Sequence, residues 1–253
     1  MGNNEMSKQE QGAVAVIFAG GVGRRMCNDA TPKQFIKVDE VPILIHTLQV
    51  FQNHPQIEKI YLVMVATHMD YTVKLVAQYG ISKVAAVVPG GESGLDSIYR
   101  GLQAARAENP ADTVVLIHDG VRPIVSDKVI SANIEAVEHH RAAATCFPSF
   151  ETVLISRDGV RLGEIPTREH VYKAQAPQSF YLGDIIAAHD RLRAGDGYGS
   201  LVDSCSVFRT TGGEVYMVQG NYGNIKVTRP EDVYILKGLL KYRDAMQAIG
   251  LDE

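Results

Sequence analysis

Long hydrophobic runs are missing from this chain. No stretch approaches the ~20 apolar residues of a membrane span, and the first residues lack the apolar centre of a secretory signal. Cysteine is scarce: Cys27, Cys146 and Cys205 are odd in number and far apart in 253 residues. They offer neither zinc spacing nor a disulfide framework, which fits a reducing, cytoplasmic setting. A basic excess is missing as well. Lys and Arg number 25 against 29 Asp and Glu, a net charge of −4, which argues against a general nucleic-acid binder. Any phosphate site must therefore be a local concentration of cations. Met1-Gly2 opens a myristoylation pattern that Met6 spoils, because that position requires Ser or Thr. Neither internal repeats nor low-complexity segments occur. What remains is a composition of 45% hydrophobic and 21% charged residues, ordinary for a soluble globular protein.

Residues 1–12 are polar and aperiodic and are expected to form a disordered leader, with 13–253 a single domain. Within it, apolar runs alternate with amphipathic stretches. Strands are expected at Val14–Phe18, Lys59–Ala66, Lys83–Val88, Thr113–His118 and Ala143–Phe147. Helical spacing marks Ile43–Asn53, Met69–Tyr79, Asp96–Glu108 and Asp127–His140. This rhythm predicts an α/β fold, a doubly wound, mostly parallel Rossmann-like sheet with helices on both faces. The rhythm changes after Phe147. Thr152–Ser156 and Val160–Leu162 flank Arg157-Asp158-Gly159, the pattern of a β-hairpin. A hairpin there cannot extend a parallel sheet by the usual crossover, so residues 150–175 are expected to project as an arm. Exposed arm edges seek a partner, which predicts a homodimer. A helix from Leu182 to about Arg193, a loop over Ala194–Ser200, strands Val215–Val218 and Asn224–Thr228, and a terminal helix opened by Pro230-Glu231-Asp232 complete the reading.

The first strand runs into Ala19-Gly20-Gly21-Val22-Gly23-Arg24-Arg25-Met26, with Pro32-Lys33-Gln34 soon after. Glycines at a strand end let backbone N–H groups approach an anion closely. A dinucleotide fingerprint would need a third glycine where Arg24-Arg25-Met26 stands, and a P-loop would need Gly-Lys-Ser/Thr. Neither is present. Arg25 and Lys33 instead bring fixed positive charge to the turn, as a triphosphate requires. Ligands of open α/β sheets bind beyond the carboxyl ends of the strands. Gly90-Gly91-Glu92, His118-Asp119-Gly120-Val121-Arg122-Pro123 and Asn224-Ile225-Lys226 are expected at that same rim.

Taken in order, Gly-Gly-x-Gly-x-Arg-Met, Pro-Lys-Gln, Gly-Gly-Glu, His-Asp-x-x-Arg-Pro, Pro-Gln-Ser-Phe and Asn-Ile-Lys-Val-Thr-x-Pro-Glu-Asp resemble the polyol-phosphate cytidylyltransferases over roughly Val14 to Leu240. The resemblance implies a nucleotidyltransferase-type fold and an enzyme that transfers CMP from CTP to a polyol phosphate, with Mg²⁺ as cofactor. It implies no nucleic-acid or membrane partner. By this likeness Ala19, Gly20, Gly21 and Gly23 lie against the triphosphate, with Arg25, Lys33 and Lys226 as the catalytic cations. Gly90, Gly91 and Ser97 border cytosine and ribose, and Asp119 faces the metal. Arg122, Arg168, Asp203 and Thr228 surround the acceptor, with Arg168 coming from the arm and serving a partner subunit's site. Gly94 stands where such enzymes usually carry arginine. Two branches are close, one acting on 2-C-methyl-D-erythritol 4-phosphate and one on ribitol 5-phosphate in teichoic-acid or capsule synthesis. Gly223 before Asn-Ile-Lys, Leu154 after Glu-Thr-Val, and Arg168-Glu169-His170-Val171-Tyr172 favour the ribitol branch. His139, His140 and His170 make no metal spacing and read as surface residues, and Tyr172 and Tyr222 read as packing residues.

A phosphate nucleophile has a second pKa of about 6 and is already ionised at neutral pH, so such chemistry needs no general base. Its difficulty is the approach of one anion to another. Catalysis must come from neutralised charge and in-line geometry.

Overall fold

A computed structural model describes residues 12–20, 31–195 and 197–250. Of the leader expected at 1–12, only Gly12 is among them. Gly21, Gly23 and Arg25 of the glycine-rich turn lie outside the described residues.

The first strand, β1 (Ala13–Phe18), lies inside the sheet with a parallel neighbour on each side. Its residues alternate between two hydrophobic layers: Ala13, Ala15 and Ile17 face one, Val14 and Val16 the other. A strand buried on both faces needs an unbroken apolar run, and Ala-Val-Ala-Val-Ile-Phe supplies it. β1 pairs in parallel with β4 (Ile57–Met64) and with β6 (Val114–Asp119), and β4 pairs in parallel with β5 (Val84–Pro89). The short hairpin β2 (Lys37–Val38) and β3 (Val41–Pro42) stands apart from this sheet. Beyond β6 the sheet continues through β8 (Tyr172–Tyr181), β7 (Ala142–Pro148) and β9 (Tyr216–Gln219), giving the order β5-β4-β1-β6-β8-β7-β9. β8 runs antiparallel to both neighbours, whereas β9 is parallel to β7.

The expected mixture of mostly parallel strands and covering helices is therefore present. One face is covered by α1 (Ile43–Asn53), α2 (Met69–Gln78) and α4 (Asp127–His140). The other carries α3 (Gly94–Glu108), α5 (Leu182–Arg193) and α6 (Ser204–Thr210). Gly101 lets α3 approach closely: a Cβ there would come 2.5 Å from Val16 Cγ1 and 2.7 Å from Val63 Cγ2. The terminal helix α7 (Pro230–Ala248) packs Leu236 and Leu240 against Val38, Ile43, Val121 and Val227 in a third cluster.

Several elements differ from expectation, and β2, β3 and α6 are ones that the sequence reading left unassigned. β8 was not anticipated, because Gln175-Ala176-Pro177-Gln178-Ser179 is polar and Pro177 cannot donate into a ladder. The structure accommodates the proline at an irregularity: the β7–β8 register jumps between Ala144↔Gln178 and Cys146↔Ala174, and Thr145 Oγ1 donates to the Pro177 carbonyl at 2.8 Å. The segment 224–228, expected as a strand, is extended loop. It lies across the strand ends, with Val227 N bonded to the Val121 carbonyl at 3.0 Å. The expected hairpin is a looser reversal. A single bridge joins Ile155 and Glu164, and Asp158 Oδ1 accepts from the Val160 and Arg161 amides at 3.0 and 2.8 Å to close the turn. Its strands have no neighbouring sheet to hold them, so a full ladder does not form.

Candidate active site

The carboxyl ends of β1, β5 and β6 face one rim. There the backbone of each strand hands over to a glycine-containing turn: Ala19 N bonds the Val63 carbonyl at 2.8 Å, Gly90 N the Met64 carbonyl at 2.7 Å, and Gly120 N the Phe18 carbonyl at 2.9 Å. Two of these turns meet over Ser97. A Cβ at Gly90 would lie 3.0 Å from Ser97 Oγ, and one at Gly20 3.5 Å from the same atom. Ser97 Oγ itself accepts from the Gly91 amide at 3.1 Å and donates to the Ser93 carbonyl at 2.9 Å. Ala19, Gly20, Gly90, Gly91 and Ser97 thus form one wall.

The opposite wall is built on Asp119, the last residue of β6 and a buried carboxylate. Arg122 Nε donates to its Oδ2 at 2.7 Å, and Lys226 Nζ donates to its Oδ1 at 2.6 Å. Burial by itself favours the protonated acid. The guanidinium of Arg122 and the ammonium of Lys226 outweigh it and hold Asp119 below the usual carboxylate range. Arg122 Nη1 also donates to the Asn224 carbonyl at 2.9 Å, which ties the β6 turn to the 224–228 segment. Lys33 Nζ reaches the carbonyl of Val227, next to Lys226, at 3.2 Å. Two cations share this one carboxylate and Lys33 stands close by, so three distant parts of the chain bring cations to the rim.

The remaining expected residues fall elsewhere. Thr228 follows Lys226 closely, but its amide and hydroxyl both donate to Asp232 Oδ2, at 2.7 and 3.0 Å. Asp203 is the N-cap of α6: Oδ1 accepts from the Ser206 amide at 2.8 Å, and Oδ2 from Gln178 Nε2 at 2.8 Å. Its carboxylate is occupied by the fold. Arg168 sits on the exposed arm in a single helical turn, Arg168–His170, and no bond of the Asp119 cluster reaches it. His140 stacks on Tyr216 with ring centroids 4.1 Å apart, a surface role like the one expected.

Two contributors escaped the sequence reading. Asn224 is fully buried, and its Nδ2 donates to the Ala176 carbonyl at 2.6 Å, so it fixes the segment that carries Lys226. His118 lies beneath Asp119, and burial pushes its imidazole down to about 4. Its Nε2 is 3.0 Å from the Arg122 carbonyl, an acceptor, so Nε2 carries the proton and supports the turn from inside. Both stood within quoted motifs. Buried polar residues beside motif cations were the available signal. A separate cavity of about 730 Å³ is bounded by residues such as His46, Ile124, Tyr222, Tyr242 and Arg243, and none of Lys33, Arg122 and Lys226 lines it.

Comparison with known proteins decides what this pocket belongs to. Residues 13–241 match the family described as IspD: 2-C-methyl-D-erythritol 4-phosphate cytidylyltransferase. The chain belongs to this cytidylyltransferase family. The cytidylyltransferase is 42% identical to a ribitol-5-phosphate cytidylyltransferase of Streptococcus agalactiae serotype V, over 94% of this chain and 99% of that one. It is 37% identical to a 2-C-methyl-D-erythritol 4-phosphate cytidylyltransferase of Geotalea uraniireducens, over 90% and 96%. In structure it is similar to 4-diphosphocytidyl-2C-methyl-D-erythritol synthase from Anaerococcus prevotii, with a TM-score of 0.78, 29% identity and coverage of 92% and 97%. Among its described residues, no helix is long and apolar enough to cross a membrane, and no group of three His, Cys, Asp or Glu could hold a metal ion unaided.

Proposed function

We propose that this cytidylyltransferase transfers CMP from CTP to D-ribitol 5-phosphate, giving CDP-ribitol and pyrophosphate. The observation that carries this reading is the cationic pocket around Asp119, where Arg122, Lys226 and Lys33 converge from separate segments. A phosphate oxygen of the acceptor attacks the α-phosphorus of CTP. The bond from that phosphorus to the oxygen bridging to the β-phosphate breaks, and pyrophosphate leaves with the electron pair. Lys226 and Lys33 follow oxygens whose charge grows during transfer, because a compact ammonium on a flexible stem can move with them. Arg122, oriented by Asp119 and the Asn224 carbonyl, holds an anionic oxygen through its remaining N–H groups. Gly90, Gly91 and Ser97 border the nucleoside, and the triphosphate falls to Ala19 and Gly20 and, by the family resemblance, to Gly21, Gly23 and Arg25.

Asp119 alone fits a Mg²⁺ that arrives on the nucleotide, since magnesium commonly binds one carboxylate plus substrate phosphates and keeps several waters. Asp119 would be the residue to hold the metal, sharing its carboxylate with Lys226 and Arg122. Bound there, Mg²⁺ supplies charge neutralisation at the triphosphate.

The acceptor is read from the relatives: identity is higher to the ribitol-5-phosphate enzyme than to the methylerythritol one. The second reading, 2-C-methyl-D-erythritol 4-phosphate as acceptor, is supported by the family match. The arm at about 150–175 is proposed as a homodimer interface, because Leu154, Val160, Leu162 and Ile165 are exposed along it and Val160 is 87% exposed. Arg168 on that arm then serves the partner's pocket. The free thiols Cys146 and Cys205 suit a cytoplasmic enzyme. Pyrophosphate release measured with CTP, UTP, GTP and ATP, and with each acceptor in turn, tests the proposal. A preference for another nucleotide overturns the class of donor, and faster turnover with methylerythritol 4-phosphate overturns the acceptor.

A further inference from the structure

The turn that borders the nucleoside is held from behind by a residue of α5. Ser93 caps α3: its Oγ accepts from the Asp96 amide at 3.1 Å and donates to Asp96 Oδ2 at 3.0 Å. Asp96 Oδ1 is in turn ion-paired with Arg193 Nη1. The Arg193 guanidinium lies over the ring of Tyr99 at 4.5 Å and over that of Tyr198 at 5.2 Å. Both rings are themselves fixed. The Tyr99 hydroxyl donates to Asp190, and the Tyr198 hydroxyl is 2.7 Å from Nδ1 of the buried His189. A continuous set of bonds therefore runs from the Gly91 amide through Ser97, Ser93 and Asp96 to Arg193, and on to the segment that leads to Asp203.

The tie is needed because of Gly94. At the first position of α3 it has no side chain to anchor the turn, and among the described residues nothing lies within 4 Å of a Cβ placed there. Glycine leaves this turn its widest backbone freedom at the place where the nucleoside has to be gripped. Arg193 sits on the side of α3 that carries Asp96 and Tyr99, two and five residues further along, and so acts without touching the ligand.

We infer that Arg193 is a positioning residue for nucleotide binding, locking the first turn of α3 through Asp96 so that Gly90, Gly91 and Ser97 are held ready for CTP. The inference rests on the proposed role of that turn in CTP binding.

Arg193→Met and Arg193→Lys variants test it, with Asp96→Asn as a second way to cut the same tie. Arg193→Met is expected to raise KM for CTP about tenfold, the scale of one exposed ion pair plus two cation–π contacts. kcat and KM for the acceptor should stay within about twofold, because the cations around Asp119 are untouched. Amide exchange at Asp96 and Ser97 in the nucleotide-free protein should quicken by a similar factor, and Arg193→Lys should recover at least part of both effects. Unchanged KM for CTP with unchanged exchange overturns the inference, as does a parallel fall of every kinetic parameter. If the wild-type enzyme does not use CTP, the functional reading fails instead. The exchange comparison then still decides whether Arg193 holds the turn.

Discussion

The ammonium of Lys226 lies 2.6 Å from Asp119 Oδ1, on the carboxylate whose other oxygen is held by Arg122. Asp119 thus holds two cations side by side at the rim. On the function proposed above, an incoming phosphate competes with this carboxylate for Lys226.

Lys226→Ala is expected to lower kcat by at least ~100-fold, about 3 kcal/mol, the scale of removing one donor aimed at developing charge. Lys226 is partly exposed and Arg122 still holds Asp119, so its loss should cost less stability than breaking the Arg122–Asp119 pair. Near-wild-type turnover in a pyrophosphate-release assay would remove Lys226 from the reaction.

Asp119→Asn has a different signature. The Arg122–Asp119 pair is largely buried, with side chains 13% and 9% exposed, so an amide leaves a buried guanidinium without its counter-ion. Removing one partner of a buried pair costs roughly 3–5 kcal/mol. Urea unfolding should report a loss of that order along with the loss of activity. Full stability with lost activity would mean that Asp119 serves the ligand alone.

Positions 91 and 94 should respond in opposite ways. A Cβ at Gly91 would meet Asp96 Cβ at 2.3 Å, so Gly91→Ala must displace the first turn of α3 and weaken CTP binding. A Cβ at Gly94 meets none of the described residues, and on the proposed function Gly94→Arg adds a cation beside the nucleotide, so affinity for CTP should rise about tenfold, the scale of one charge-assisted hydrogen bond. Calorimetric titration with CTP measures both. A stronger Gly91→Ala enzyme or a weaker Gly94→Arg enzyme contradicts this geometry.

His189 gives a pH prediction. Burial lowers its pKa to about 4, with the charge of Arg193 adding to the effect, against 6.5 when unfolded. Between these values the unfolded chain binds the extra proton, so stability rises with pH. The contribution is complete above about pH 6.5 and is lost as pH falls toward 4, a change on the order of 3 kcal/mol. Thermal unfolding across pH 7.5 to 4.5 should show this slope, and His189→Gln should flatten part of it. An unchanged slope in that variant would assign the acid sensitivity to other groups.

The arm predicts its own assembly. Light scattering at micromolar concentration should give twice the chain mass, and Val160→Asp should shift the equilibrium to the monomer, because it places a charge in the apolar patch. A monomeric wild-type protein would leave Arg168 with no subunit to serve.

Much of the architecture was legible in the sequence because burial on two faces demands apolar runs. α1 and α4 have the boundaries that their spacing implies, and β1 is one residue longer than its run implies. β8 was not legible. Its polar, proline-containing run is tolerated only because the register jump beside Thr145 places Pro177 outside regular pairing. The cap role of Asp203 was not read from the sequence, because the short helix α6 that it opens was not anticipated after Leu201-Val202. Lys226 also looked like one face of a strand. Its direction is set by the Asn224 and Val227 contacts, which are long-range in sequence.

By itself the sequence determined the covered parallel sheet, the glycine-bearing turns at strand ends and the set of cations available to a phosphate ligand, since these follow from side-chain polarity and backbone freedom along short stretches. Only the tertiary structure decided which cations share a carboxylate, that β8 separates β6 from β7, and that Arg193 pairs with Asp96 in the first turn of α3. Those relationships join residues brought together only when the helices close over the sheet, and no local preference encodes such a meeting.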